Sequence, residues 1–259
     1  MSKTVSKFVF TVGLVLAMAL TFSCSGDDGG GSSSSGGGGD GNSITYGNDI
    51  YPIVVIGTQT WLAKNLNYAV EGSKCYGEGG EVVDYDEDDN RITETLSPAE
   101  VQANCVKYGR LYDWATAMGL PSNCNENSCS SQIQPKHKGI CPSGWHIPSN
   151  DDWDMLMNYV GGYETAGAKL KAASGWNDYE GKSGNGTDDY GFSAMPGGIG
   201  RLNGTFGYAG NGSLWWCASE SESESSSDDA YTRSMGYDSE AYEDSRDKPT
   251  LYSVRCVKN

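Results

Sequence analysis

The sequence predicts an α+β fold: two or three short helices, then a small, twisted, mainly antiparallel sheet, loop-rich and disulfide-stabilised. Three observations predict it. Two helix-start signatures precede a long stretch of strand and turn patterns. The 259 residues hold 36 Gly, 16 Tyr and 7 Trp, the composition of turns and aromatic packing rather than of a helical bundle. Seven cysteines lie in the globular part, Cys75, Cys105, Cys124, Cys129, Cys141, Cys217 and Cys256.

Taken in order, residues 44–67 alternate and turn as paired strands do. Tyr51–Ile56 is set against Thr60–Ala63 across Gly57-Thr58-Gln59, so the domain is expected to open on a hairpin. Ser97-Pro98-Ala99-Glu100 then reads as a helix start: a Ser cap, Pro in the first position and Glu in the third, where its charge favours the free amides. Leu111, Trp114, Ala115 and Met118 continue at helical spacing to Gly119. Ser149-Asn150-Asp151-Asp152 repeats the start signature ahead of a stripe of Trp153, Leu156, Met157 and Val160, and a further short helix is expected at about 164–173. Strands follow at Tyr190–Gly198, Leu214–Cys217, Ala230–Thr232 and Tyr252–Cys256, with Asn203-Gly204 and Asn211-Gly212 as hairpin-turn candidates.

The N-terminus carries an address. Lys3 and Lys7 precede the apolar run Phe8–Leu20, too short to span a bilayer and suited to a signal peptide. Leu20-Thr21-Phe22-Ser23-Cys24 resembles a bacterial lipobox, looser than usual at Thr21 and Phe22. That implies a lipoprotein signal peptide over 1–23 and a lipidated Cys24; the alternative is ordinary cleavage nearby, which leaves Cys24 a stray thiol. Ser25-Gly26-Asp27-Asp28 resembles the acidic signals that send some lipoproteins to the outer face of the outer membrane, and also reads as solvated linker. Residues 24–43 are expected to be a flexible Gly/Ser tether reaching on the order of 20 Å. Residues 44–259 form the domain, roughly 215 residues, enough for one real core.

The formal charge is −16, from 34 acidic and 18 basic residues. Such a surface repels phosphate backbones, so no nucleic-acid partner is expected.

Five segments occur in order: Ile56-Gly57-Thr58-Gln59-Thr60-Trp61, Tyr108-Gly109-Arg110-Leu111-Tyr112-Asp113-Trp114, Cys141-Pro142-Ser143-Gly144-Trp145-His146-Ile147-Pro148, Gly191-Phe192-Ser193-Ala194-Met195-Pro196-Gly197-Gly198 and Ser253-Val254-Arg255-Cys256-Val257. Together they resemble the Fibrobacter succinogenes major paralogous domain, from about Tyr46 to Asn259. The resemblance implies a C-type-lectin-like fold related to the domain of formylglycine-generating enzymes, and membership among mostly secreted lipoproteins. It brings no established activity. By analogy with the long-range bridge of lectin-like folds it also implies pairing of Cys141 with Cys256. Cys75 with Cys105 and Cys124 with Cys129 would then close local loops and leave Cys217 over; a competing scheme joins Cys217 to Cys256. Zinc is a poor alternative use, because Cys124 and Cys129 have no second pair and His137 and His146 are the only histidines.

Several groups are candidates for ligand chemistry. Asp84-Tyr85-Asp86-Glu87-Asp88-Asp89-Asn90 alternates acids like a calcium loop but lacks the turn Gly and the bidentate Glu, so it reads as a solvated acidic insertion. Asn185, Asp188 and Asp189 are the better calcium candidates, since small neighbours let carbonyls converge beside two carboxylates; calcium is the one cofactor left open. Trp176-Asn177-Asp178 is similar to the sugar- and calcium-binding tripeptide of C-type lectins, without its Glu-Pro-Asn or Gln-Pro-Asp partner. Trp61, Trp114, Trp145, Trp153 and Trp216 read as core. Trp176 and Trp215, with Tyr179, Tyr208, Tyr237 and Tyr242, could offer flat faces for saccharide rings. His146 reads as a satisfied core histidine, and Ser219–Asp229 as a solvated acidic loop.

No hydrolase motif occurs, and carboxylates are too numerous for a glycosidase pair to stand out. The expected protein is a lipid-anchored, surface-exposed outer-membrane protein with a non-catalytic binding domain for an extracellular polysaccharide or an envelope protein, contacting the membrane only through its lipid. One rival is a degenerate formylglycine-generating-enzyme-like domain, which two free reactive thiols at Cys217 and Cys256 would favour. The other is a purely structural envelope component.

Overall fold

In a computed structural model, residues 42–85, 90–222 and 228–259 are described. Cys24, the leader and the Gly/Ser tether lie outside them, as do residues 86–89 of the acidic insertion and 223–227 of the later acidic loop. The architecture is α+β, loop-rich, with four short helices and two sheets.

The first sheet begins with three consecutive strands, β1 (Ser43–Tyr46), β2 (Asp49–Ile56) and β3 (Gln59–Leu62). The expected hairpin is β2–β3, with Gly57-Thr58 at its turn. Two more strands finish this antiparallel sheet, β6 (Trp145–His146) and β12 (Val257–Lys258), in the order β1-β2-β3-β12-β6. The C-terminal strand is therefore central: Val257 is paired with both Trp61 and His146.

The second sheet has the order β11-β10-β9-β7-β8-β4-β5. Its strands are β4 (Val82–Tyr85), β5 (Arg91–Glu94), β7 (Gly197–Gly200), β8 (Phe206–Ala209), β9 (Ser213–Glu220), β10 (Asp229–Met235) and β11 (Ala241–Asp247). Pairing is antiparallel except for β7 with β9 and β4 with β8. Asn203-Gly204 turns the β7–β8 hairpin. Asn211-Gly212 turns the chain as well, but into β9, which pairs with β7 rather than with β8.

Among the described residues there are four α-helices: α1 (Pro98–Tyr108), α2 (Trp114–Met118), α3 (Asn150–Tyr159) and α4 (Tyr163–Leu170). Both Ser caps form. Ser97 and Ser149 accept from the amides of Glu100 and Asp152, whose carboxylates accept in return from the cap amides. The spacing that continued to Gly119 spans two helices, not one. Gly109 ends α1 at φ 79°, where an added Cβ would lie 2.7 Å from the Leu66 carbonyl oxygen. Leu111 and Tyr112 then bridge to Lys74 and Tyr252, and Asp113 restarts the helix by accepting from the Thr116 amide at 2.9 Å.

Other corrections are local. In the Tyr190–Gly198 segment regular pairing starts only at Gly197, and in Tyr252–Cys256 only single bridges form before β12. Strands β4, β5, β6, β8 and β11 were not expected, because they are too short or too polar to show the sustained apolar alternation that marks a strand.

Three disulfides join Cys75 to Cys105, Cys124 to Cys129 and Cys141 to Cys256. The competing Cys217–Cys256 bridge is not formed, and Cys217 is a buried thiol. The Cys141–Cys256 bridge lies in a core with Tyr51, Tyr112, Trp114, Trp145 and Trp216. A second core gathers Trp61, Trp153, Trp176, Phe192 and Trp215, with Trp153 5.0 Å from Trp61 and 6.3 Å from Trp215 between ring centres.

Candidate functional site

A recess of about 1350 Å³ lies over one face of the second sheet. Leu214, Ser234 and Tyr242 are register partners on β9, β10 and β11, so their side chains form one row across its floor. Ile199 on β7, Tyr208 on β8 and Tyr85 on β4 extend the lining across the sheet.

The wall comes from two turns. Tyr179 and Lys182 exchange backbone hydrogen bonds across Glu180 and Gly181, both at positive φ (50° and 75°), the geometry of a tight two-residue hairpin. That turn presents Tyr179. The β10–β11 connection presents Tyr237, and the two rings stack with centres 3.9 Å apart and planes 22° apart. Tyr208 also has positive φ, 67°, and its ring lies 5.3 Å from the Arg201 guanidinium. Tyr85, Tyr179, Tyr208, Tyr237 and Tyr242 keep between 41% and 63% of their surface exposed. Phenol rings in such a recess present flat apolar faces with a hydrogen-bonding edge. Asp178, Glu180 and Asp238 add carboxylates, while Arg246 pairs with Asp244. The Asp238 carboxylate accepts from the Tyr242 hydroxyl at 2.5 Å, which drives the Tyr242 pKa up.

Of the six aromatic residues singled out for ligand contact, Tyr179, Tyr208, Tyr237 and Tyr242 line this recess, and Trp176 and Trp215 do not contribute a face. Trp215 is fully buried. Its neighbour Leu214 faces the recess, so strand alternation sends Trp215 to the opposite side, against Trp153. Trp176 is 4% exposed, donates from Nε1 to the Ala194 carbonyl and lies under the Lys171 ammonium at 4.8 Å. All seven Trp are core residues. Tyr85 escaped notice because it stands in the acidic insertion.

Two of the three calcium candidates hold side-chain hydrogen bonds of the fold. Asp188, at φ 50°, accepts from the Ser193 amide and hydroxyl through its two oxygens, and Asn185 Oδ1 accepts from the Trp176 amide. Asp189 is exposed. Among the described residues no group of His, Cys, Asp and Glu is arranged to hold a metal ion. In the lectin-like tripeptide, Asn177 ties Gly210 and Asn211 to its own turn. Glu220 is likewise not solvated: it accepts from Ser128, the Cys129 amide and Lys248.

His146 is buried, with Nδ1 2.8 Å from Asn259 Oδ1 and Nε2 3.2 Å from Asp152 Oδ2. Cys217 sits beside the Arg233 guanidinium, yet burial pushes its thiol pKa up to about 12. Cys256 is held in its disulfide.

Fold and recess define a disulfide-pinned α+β domain that carries an aromatic surface recess. The chain belongs to the Fibrobacter succinogenes major domain family, whose model matches residues 54–258. No curated protein and no solved structure matches it. Among the described residues no helix is long and apolar enough to cross a membrane.

Proposed function

We propose that this is a non-catalytic binding module that holds an extracellular polysaccharide on the tyrosine recess and is tethered to the outer membrane through lipid on Cys24. The observation that carries the reading is the gathering of five partly exposed tyrosines on a single recess. Sugar rings pack their C–H faces on such phenols, and the neighbouring carboxylates and hydroxyls can accept and donate to sugar hydroxyls. The carboxylates and the net charge of −16 favour a neutral chain over an anionic one. A thiol-based enzyme is less well supported, since Cys217 is buried and Cys256 is bridged. The tether rests on the lipobox-like segment and the Gly/Ser stretch.

The test is retention of the full-length oxidised protein on a panel of soluble and insoluble polysaccharides, with calcium and with chelator. A neutral glycan should retain it with or without chelator. Tyr179→Ala and Tyr237→Ala should each weaken retention about tenfold, equivalent to about 1.4 kcal/mol. No retention on any glycan would overturn the polysaccharide reading and direct the search to protein partners. Incorporation of labelled fatty acid, abolished by Cys24→Ser, tests the anchor.

A further inference from the structure

Lys171 follows the last turn of α4 and is 2% exposed, although lysine is rarely buried without strong compensation. Its ammonium donates to the Gly236 carbonyl at 2.9 Å and to the Asp238 carbonyl at 2.7 Å. Those carbonyls flank one residue, Tyr237. The ammonium also lies over the ring of Trp176, which begins the segment that presents Tyr179. One buried charge thus touches both supports of the stacked pair. Met would fill the same space without a charge, so packing alone does not explain a lysine here.

We propose that Lys171 is a positioning residue for the recess: its ammonium clamps the Gly236–Asp238 turn so that Tyr237 stays stacked on Tyr179 and the ring pair meets a ligand ready-made. This rests on the reading of the recess as the binding face. The rest of the turn's surroundings leave that role open to Lys171. The backbone of α4 supports the turn one residue further on, where the Ala168 amide donates to the Ser239 carbonyl. The Asp238 carboxylate is engaged by the Glu240 amide and the Tyr242 hydroxyl. Fixing the turn before a ligand arrives removes the ordering cost from the binding step. The ammonium is itself disfavoured by desolvation, which lowers its pKa, and the negative charge of Asp238 offsets part of that effect.

The experiment compares amide hydrogen exchange and glycan retention of the full-length protein with those of Lys171→Met. The variant should keep its disulfides and cooperative melting, while exchange over residues 236–242 speeds up at least tenfold and retention on a glycan held by the wild type falls at least tenfold. Lys171→Arg, which keeps charge and donors, should restore slow exchange more fully than Met does. Unchanged exchange over 236–242 in Lys171→Met would overturn the proposal, as would equal loosening by Met and Arg. Should Lys171→Met fail to fold, acetylation of the native wild type decides: Lys171 should be among its slowest lysines to react, and fast modification would overturn the clamp. If the wild type binds no glycan, the polysaccharide reading fails, and exchange still judges Lys171 separately.

Discussion

Each of several buried cations is placed over a ring and aimed at oxygens. Lys171 lies over Trp176, Lys248 over Trp114 while bonded to Glu220, and Arg233 is bridged to Asp154 and Glu243 with Tyr163 beside it. Arg255, the Arg of Ser253-Val254-Arg255-Cys256, stands over Phe192 and donates to the carbonyls of Leu62, Phe192 and Ser193 and to Asn65 Oδ1. Asn65 also accepts from Trp215 Nε1, which makes it a hub that no local pattern announces, since its partners come from positions up to 190 residues away. Asp152 shows how such networks set pH dependence. Burial raises its pKa, but hydrogen bonds from His146 and Ser149 outweigh this and bring it down from 3.8 to about 2. Its folded pKa is depressed, so its contribution to stability is complete above the unfolded value and is lost as pH falls from about 4 toward about 2. Asp152→Asn should therefore flatten the fall in denaturation midpoint over that acid range. An unaltered slope would mean that Asp152 is not among the groups controlling it.

Among the elements, the helix starts were the most legible, because a Ser cap with an acid three residues on is a local, short-range signal. Helix ends were less so. Leu111 keeps helical spacing with Trp114, Ala115 and Met118 although it lies between α1 and α2, and the chain leaves α1 at Gly109 with positive φ so that the Arg110 amide donates to the distant Leu66 carbonyl at 3.0 Å. Gly109→Ala should destabilise the domain by more than about 1 kcal/mol, since the residue combines positive φ with that close approach; urea midpoints would measure it. The segment Leu214-Trp215-Trp216-Cys217 is a continuous apolar run, the mark of a strand covered on both sides. That reading would have placed Trp215 in the core from the start, as its hydrogen bond to Asn65 does in the structure. The tyrosine recess was partly legible: Tyr179, Tyr208, Tyr237 and Tyr242 stood out as loop aromatics, but Tyr208 and Tyr242 stand on strands, and their gathering with Tyr85 over one row depends on the register of β9, β10 and β11.

At the scale of the molecule, α+β class, family membership and disulfide bonding could be reached from sequence, because they rest on motifs and cysteine number. Sheet order could not. The order of the second sheet follows from two parallel contacts and a crossover that no single segment encodes. The disulfides should differ in weight. Cys141 and Cys256 are 115 residues apart, Cys124 and Cys129 only 5. Replacing the first pair by Ser should cost about 2–5 kcal/mol, more than replacing the second, because a longer closed loop restricts the unfolded chain further; urea unfolding of both variants would show the ranking, and equal losses would count against it. The place of β12 has a consequence for how the protein is made. Two strands from early in the domain and from its middle, β3 and β6, face each other across a gap that only Val257 and Lys258 fill. During synthesis the first sheet is an open slot between β3 and β6, and it can close only after Val257 and Lys258 have left the ribosome. The opening hairpin and the middle of the domain must therefore wait for its far end before this sheet is continuous, and a chain cut just before Val257 would be left with two bare edges in place of a seam.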